Sequence, residues 1–215
     1  FLFFLFCIHE TGHILTASFY HWKIKKIIIL PFGGLTIFEE SWNRPMKEEF
    51  LITCMGPIIQ IIGYFFLSFF FPSPIYRSIH LFYLCFNLLP IYPLDGSKLY
   101  LLLLELVFSF YSSYRFLLLF SLVFAVFFVI WTPFHLTFLL MTLFLLKKII
   151  EELFLLRYTF SKFLLERYLT PVSYHHYYKI KNRNIKKMKR EKTHLFYVAP
   201  HWLHEKEFLQ KWFDK

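Results

Sequence analysis

Long apolar runs separated by short polar stretches dominate the pattern of this chain. The first run, FLFFLFCIHETGHILTASFY, occupies residues 1–20. Four more follow, at residues 50–71, 75–93, 116–130 and 134–146, and the last continues into Lys147 and Lys148. A helix of about 20 apolar residues crosses the roughly 30 Å of bilayer hydrocarbon. The pattern therefore predicts an all-α polytopic membrane protein with a bundle of about five transmembrane helices.

Composition strengthens this prediction. Of the 215 residues, 57% are hydrophobic and 31 are Phe, which is more apolar than a soluble domain of this size. The three cysteines each lie in an apolar run and have no C-x-x-C spacing. The sequence therefore indicates neither a disulfide framework nor a thiolate metal site.

Charge predicts how the helices are oriented. The connections at residues 21–47 and 98–115 are basic, and the tail from residue 147 holds 16 of the 24 Lys and Arg residues. By the positive-inside rule these parts lie in the cytoplasm, so the opening helix runs from outside to inside. We expect the basic cytoplasmic tail to be drawn to anionic lipid of the bilayer. It has no recognisable nucleic-acid motif, so we expect no nucleic-acid partner.

Within the first apolar run, HETGH places His9, Glu10 and His13 at membrane depth, where ionisable groups are costly and usually functional. On a helix the two imidazoles are one turn apart on one face, so both reach one point. Glu10 directly follows His9, so its side chain lies beside this face of the helix. This H-E-x-x-H arrangement is typical of zinc hydrolases, in which the two imidazoles bind the metal and the glutamate is the general base.

Tetrahedral zinc with two imidazoles and an open position needs a third protein ligand. Asp95 is the best candidate, because it lies in NLLPIYPLDGSKL, residues 87–99, where Pro90 and Pro93 interrupt the helix. Gly96 lets the backbone approach closely. An intramembrane acid beside helix breakers predicts a functional site that lines a wet cavity. The alternative is that Asp95 only caps the helix after Pro93.

The two motifs together resemble the site-2 protease family of intramembrane zinc metalloproteases, peptidase family M50. Within that family the chain looks most like the sporulation factor IV FB type. The resemblance extends from residue 1 to about residue 170. It is supported by LPFGG at 30–34, NRPMKEEF at 43–50, MGP at 55–57 and FLLERY at 163–168.

The resemblance implies that His9, His13 and Asp95 bind one Zn²⁺ per chain and that Glu10 is the general base. Asn87 matches the asparagine of the family motif, and its amide would donate to the developing oxyanion. The implied substrate is a membrane-tethered pro-sigma factor, cut near the cytoplasmic face during sporulation. The implied location is the mother-cell membrane around the forespore, where membrane-bound inhibitory regulators hold the enzyme silent.

The resemblance also sets the expected domains. We expect residues 1–156 to form the transmembrane metalloprotease domain. Residues 157–215 would form a cytoplasmic linker and the start of a cystathionine-β-synthase-like (CBS-like) regulatory domain that is cut short, so we do not expect this chain to bind ATP as the full-length family type does. The family type has six crossings, with one before the metal-binding helix. Because residue 1 is Phe rather than Met, we expect the N-terminus to be incomplete.

The stretch IIILPFGGLTIF, residues 27–38, predicts a short β-hairpin that dips into the membrane, because a β-branched run is broken by Pro31 and by Gly33 and Gly34. Its exposed edge would accept an extended substrate strand. The alternative is a loop without substrate contact. Two rival functions also stay open: a divalent-cation transporter that uses the intramembrane His, Glu and Asp, and a catalytically inactive scaffold.

Overall fold

Seven α-helices and five strands make up the described parts of the chain. The computed structural model describes residues 2–30, 33–38, 42–131, 136–172, 174–181 and 183–214. The helices are α1 Leu2–Phe19, α2 Met46–Phe70, α3 Pro74–Asn87, α4 Asp95–Val107, α5 Phe110–Trp131, α6 Leu136–Leu169 and α7 Glu205–Phe213. The strands are β1 Ile24–Leu30, β2 Gly33–Phe38, β3 Tyr177–Ile180, β4 Thr193–Val198 and β5 His201–His204.

Three of the described helices are long and apolar enough to cross a membrane. They are α1, α2 and α5, the last from Phe110 to Ile130. Many of their large apolar side chains are exposed, among them Phe3, Phe65 and Val123, as expected of side chains that face lipid. The chain is therefore an integral membrane protein, but the predicted count of five crossings is not confirmed.

Helix boundaries differ from the prediction in the second half of the chain. The run at 75–93 is helical only to Asn87, and residues 88–94 form a loop that contains Pro90 and Pro93. The stretch 98–115 was predicted as a connection because basic residues stand at its ends. In the structure it contains most of α4, since LYLLLLELV between them is apolar. Helix α6 has 34 residues and continues well past Lys148, across the predicted domain boundary at residue 156.

The closest approach between helices in the bundle is that of α1 and α2. A Cβ atom added to Gly12 of α1 would lie 2.4 Å from the backbone oxygen of Met55 in α2. Only glycine leaves enough room for this approach. The close packing places the HETGH face of α1 directly against the middle of α2.

The predicted hairpin is present and begins earlier, at Ile24. Strands β1 and β2 pair antiparallel from Ile24–Phe38 to Leu30–Gly33, with a register shift between Ile24 and Lys26. Pro31 of the predicted turn lies outside the described residues. Strand β2 also packs against α1, so the hairpin lies next to the helix that carries HETGH.

The tail contains a sheet that the all-α prediction missed. Strands β3 and β4 pair parallel, and β5 pairs antiparallel with β4. Side chains of β4 alternate in burial, with His194 and Phe196 buried, which is the period of a strand packed on one face. The core beneath joins the sheet to α5, α6 and α7 and contains Phe110, Phe160, Phe163, Ile180, Met188, Phe196 and Phe208.

Two groups of buried ion pairs anchor the tail. In the first, which we call the Arg190 cluster, Arg190 Nη1 donates to Glu49 Oε2 of α2 at 2.8 Å and to Glu105 Oε2 of α4 at 3.0 Å. In the second, the Arg167 cluster, Arg167 of α6 and His194 of β4 both donate to the Glu205 carboxylate at the start of α7. The tail is thus fastened to α2, α4 and α6.

Candidate metal centre

Helix α1 places the two imidazoles as the H-E-x-x-H spacing predicts. His9 and His13 are 1% and 4% exposed, and their rings lie edge to face with centroids 4.8 Å apart. Their Nε2 atoms are 3.1 Å apart. Both nitrogens therefore point to one place in the interior of the bundle.

Asp95 reaches the same place from a position more than 80 residues later. Its Oδ2 atom lies 2.9 Å from His9 Nε2 and 3.1 Å from His13 Nε2. Asp95 is the first residue of α4, whose N-cap is Leu94 and has no side-chain capping bond. The alternative reading of Asp95 as an N-cap is therefore wrong.

The donor set fits a zinc ion with an open position. Two imidazole nitrogens and one carboxylate oxygen are a ligand set used by catalytic zinc. At bond lengths of about 2.0–2.1 Å, the donors of a tetrahedral site are about 3.3 Å apart. The spacings of 2.9, 3.1 and 3.1 Å need to widen only slightly to admit the ion. Among the His, Cys, Asp and Glu residues of the described chain, the donor atoms of His9, His13 and Asp95 converge in this way.

Helix α2 supplies the groups that orient both imidazoles. Gln60 Oε1 lies 2.9 Å from His9 Nδ1, and the backbone oxygen of Ile52 lies 2.8 Å from His13 Nδ1. Both acceptors require Nδ1–H, so the Nε2 lone pairs are left for a metal. Sequence analysis missed Gln60, although a lone amide inside the apolar run 50–71 is a signal of such a role.

Gln60 is itself held by a further histidine. Its Nε2 atom lies 3.3 Å from His80 Nδ1, and the His80 ring stacks on Tyr64 with centroids 4.0 Å apart. A chain of contacts thus leads from His9 through Gln60 to α3. This series of contacts keeps the His9 imidazole in place.

Two glycines make the space for the site. A Cβ atom on Gly56 would lie 2.2 Å from Nε2 and 2.4 Å from Cε1 of His13, so any side chain there would collide with the imidazole ring. A Cβ atom on Gly96 would lie 2.0 Å from the backbone oxygen of Leu88. The predicted close approach of the backbone at Gly96 is confirmed, and it brings the 88–94 loop against the start of α4.

Glu10 and Asn87, the two residues assigned to catalysis, differ in their hydrogen-bond partners. Glu10 contacts the hairpin, where Thr36 Oγ1 donates to its Oε2 at 2.5 Å. Asn87 ends α3 and is buried, and its Nδ2 has no hydrogen-bond partner among the described residues. A buried donor without a partner is costly unless a ligand satisfies it.

A cavity of about 430 Å³ opens beside Thr36 and the start of α4. Its wall is mostly aromatic and apolar, with charged groups at intervals. The lining residues include Trp22, Thr36, Phe38, Trp42, Tyr92, Pro93, Ser97, Lys98, Tyr114, Glu152, Tyr158 and Lys162. The cavity thus runs from the partner of Glu10 and the neighbours of Asp95 to the extended part of α6.

Comparisons with known proteins point to one family. Residues 1–80 match the sequence model of Peptidase family M50. Stage IV sporulation protein FB of Bacillus subtilis is 38% identical over 136 residues, which cover 59% of this chain and 47% of that protein. A zinc metalloprotease of Methanocaldococcus jannaschii is 35% identical over 103 residues, which cover 43% of this chain and 30% of that protein. The chain thus spans half or less of the length of these relatives.

A solved structure has the same fold. The site-2 protease from Methanocaldococcus jannaschii superposes with a TM-score of 0.57 at 25% identity, covering 71% of this chain and 75% of that one. The first 80 residues thus resemble peptidase family M50, the fold is similar to that of a site-2 protease, and the sequence is similar to the sporulation protein FB type.

Proposed function

We propose that this chain is an intramembrane zinc metalloendopeptidase. The observation that carries the proposal is the convergence of His9, His13 and Asp95 at 2.9–3.1 Å inside an apolar bundle, with Glu10 on the same helix. Three ligands that leave a fourth position open are the pattern of catalytic rather than structural zinc. When bound, zinc would polarise the scissile carbonyl and activate a water.

The residues of the chain divide the remaining work. As general base, Glu10 Oε1 takes a proton from the attacking water and later gives it to the leaving amine. Asn87 Nδ2, buried and without a partner in the described chain, donates to the oxyanion that develops on the substrate. His9 and His13 would hold the zinc through Nε2, because α2 accepts hydrogen bonds from their Nδ1 atoms.

The substrate enters as an extended segment. A transmembrane helix hides its scissile carbonyl in an i to i−4 hydrogen bond, so it must unwind first. Strand β2 belongs to a two-stranded sheet and offers its outer edge to such a segment. The 430 Å³ cavity beside Thr36 gives the unwound segment room for side chains.

The substrate class follows from the family type. Similarity to stage IV sporulation protein FB supports a membrane-tethered pro-sigma factor as substrate and membrane-bound inhibitory regulators as partners. Cleavage then occurs near the cytoplasmic face of the mother-cell membrane around the forespore. The ATP-sensing role of a complete CBS-like domain is not part of the proposal for this chain.

Glu10→Gln tests the mechanism. We expect the variant to keep one zinc per chain and to cleave a co-expressed pro-sigma precursor about 100- to 10,000-fold more slowly, because a general base contributes about that much. Zinc is measured by metal analysis of the purified protein, and cleavage by immunoblot. Glu207→Gln, on the exposed surface of α7, is the matched control and should cleave normally.

Three outcomes would overturn the proposal. Undiminished cleavage by Glu10→Gln would refute the assigned base. Zinc flux into proteoliposomes without peptide cleavage would instead favour the cation transporter, and zinc-loaded protein that binds precursor without cutting it would favour the scaffold.

A further inference from the structure

The hairpin contacts Glu10, and the proposed chemistry gives this contact no role. Thr36 Oγ1 donates to Glu10 Oε2 at 2.5 Å, and both residues are 6% exposed. A hydroxyl that donates to a carboxylate makes one of the stronger protein hydrogen bonds, and burial strengthens it further. The Thr36 hydroxyl engages Oε2 and not Oε1. One oxygen of the base is therefore held while the other stays available.

The hairpin that carries Thr36 is itself fixed in place. Thr36 pairs with Ile27 of β1 in the antiparallel ladder. Phe38, two residues on and therefore on the same face of β2, lies edge to face with Trp22 at 5.7 Å. Trp22 Nε1 donates to Glu48 Oε2 of α2 at 2.8 Å. The hydroxyl is thus delivered to Glu10 by a strand that is anchored at its end.

Thr36 and Phe38 also line the 430 Å³ cavity, together with Pro93, Ser97 and Lys98 from around Asp95. The face of β2 that touches Glu10 is therefore also a wall of the space beside the metal ligands. The strand that offers its edge to an extended peptide is therefore the strand that carries Thr36, the residue that holds the base.

We propose that Thr36 is a positioning residue, whose hydroxyl on the hairpin strand holds the Glu10 carboxylate in the orientation that leaves Oε1 directed to the reacting atoms. The inference rests on the proposed protease function. It adds that the hairpin orients the general base as well as presenting an edge to the substrate. A substrate segment that pairs with β2 then lies next to a base that is already oriented.

Thr36→Val removes the hydroxyl and keeps the shape of the side chain. We expect kcat to fall about 10- to 100-fold, the range for loss of a group that orients a catalytic one. KM should change less than about twofold, because strand pairing through the main chain is unaffected. Zinc content should stay at one per chain, since Thr36 contacts none of the three ligands. Thr36→Ser restores the hydroxyl and should restore kcat.

Thr142→Val is the matched control. Thr142 is also buried, and its hydroxyl donates only to the backbone of its own helix, at Phe138 O. This variant loses the same atoms far along α6 and should keep kcat. If Thr36→Val does not accumulate in membranes, Thr36→Ala compared with Thr36→Ser makes the same test.

The outcomes separate this inference from the proposed function. Unchanged kcat in Thr36→Val, or an equal fall of kcat in Thr36→Val and Thr36→Ser, would overturn the role of the hydroxyl. A rise of KM alone would also overturn it and assign Thr36 to substrate binding. Failure of the proposed function shows differently, as absent cleavage by the unaltered chain or undiminished cleavage by Glu10→Gln.

Discussion

The metal centre and the Arg190 cluster treat buried charge in opposite ways. In the Arg190 cluster the chain supplies its own cation, whose side chain is 2% exposed between Glu49 and Glu105. In the metal centre, Asp95 Oδ2 meets two imidazoles, and the nearby Lys98 lies 3.6 Å from the other oxygen, Oδ1. Buried carboxylates need a cation within reach. The Arg190 cluster therefore contains its own buried cation, whereas the donor atoms of His9, His13 and Asp95 converge on a position that a metal can occupy.

The same two helices serve both sites. Helix α2 carries Glu49 at its start and Gln60 farther along, and α4 begins at Asp95 and carries Glu105 near its end. Arg190 thus ties together the ends of the two helices whose other parts hold the imidazoles and provide the third ligand. The comparison predicts that metal-site changes affect zinc and cleavage, and that changes in the ion clusters affect stability.

The largest effect is expected for Asp95→Asn. The amide keeps the size of the side chain but removes the negative ligand, so we expect zinc to be lost on purification and cleavage to fall to background. Metal analysis and the precursor assay measure both. Thermal stability of the metal-free protein should change little, because Asn still accepts hydrogen bonds. Full zinc occupancy in this variant would contradict the assigned ligand.

Arg190→Met should cost about 3–5 kcal/mol of unfolding free energy, because it leaves the buried Glu105 and the partly buried Glu49 without a cation. Unfolding of the detergent-solubilised protein measures the loss. Lys162→Met is the control, since its pair with Glu166 is half exposed and is worth at most about 1 kcal/mol. Adding Glu49→Gln and Glu105→Gln to Arg190→Met should recover much of the stability. Equal effects of the two single variants would contradict the comparison.

Acid should loosen the tail through the Arg167 cluster. Burial lowers the pKa of His194, and its Nε2 accepts from the Lys189 backbone, which requires the neutral ring. Burial raises the pKa of Glu205, but hydrogen bonds from His194 and Arg167 overcome this and lower that pKa to about 2. Both folded pKa values lie below the unfolded ones, so the unfolded state binds more protons as the pH falls.

Stability of the tail should therefore be full above about pH 6.5 and decline first as unfolded His194 protonates. A second decline, on the order of 3 kcal/mol in total, should follow between about pH 4.5 and pH 2 as Glu205 protonates. Hydrogen exchange of β4 and β5 measures both. His194→Gln should remove the first decline only. Protection that stays constant from pH 7 to pH 2 would contradict the assigned hydrogen bonds.

Gln60→Leu should have the smallest effect of the four. Loss of the acceptor for His9 Nδ1 frees the imidazole to rotate, and we expect zinc affinity to fall about 10- to 100-fold. Competition with a chelator measures this. Helix α2 should remain intact, because leucine suits a lipid-embedded helix. Unchanged affinity would show that helix packing alone orients His9.

The parts of the site that sequence analysis predicted are those that local rules fix. His9, Glu10 and His13 follow from the geometry of one helix, and Asp95 stood out as an acid beside helix breakers. The structure brings the donor atoms of His9, His13 and Asp95 together, and Glu10 contacts Thr36 of the hairpin. Thr36 and Gln60 were not predicted, because their contacts join residues 26 and 51 positions apart with no motif to mark them.

The sequence by itself determined that the chain is an apolar helical membrane protein with a two-imidazole face on its first helix, because hydrophobicity and the helical repeat act over short distances. Only the tertiary structure decided which acid completes the donor set, which oxygen of Glu10 is held, and that the basic tail folds into a sheet fastened by Arg190 and Arg167. Those outcomes depend on close packing between distant segments, which glycines such as Gly56 and Gly96 permit.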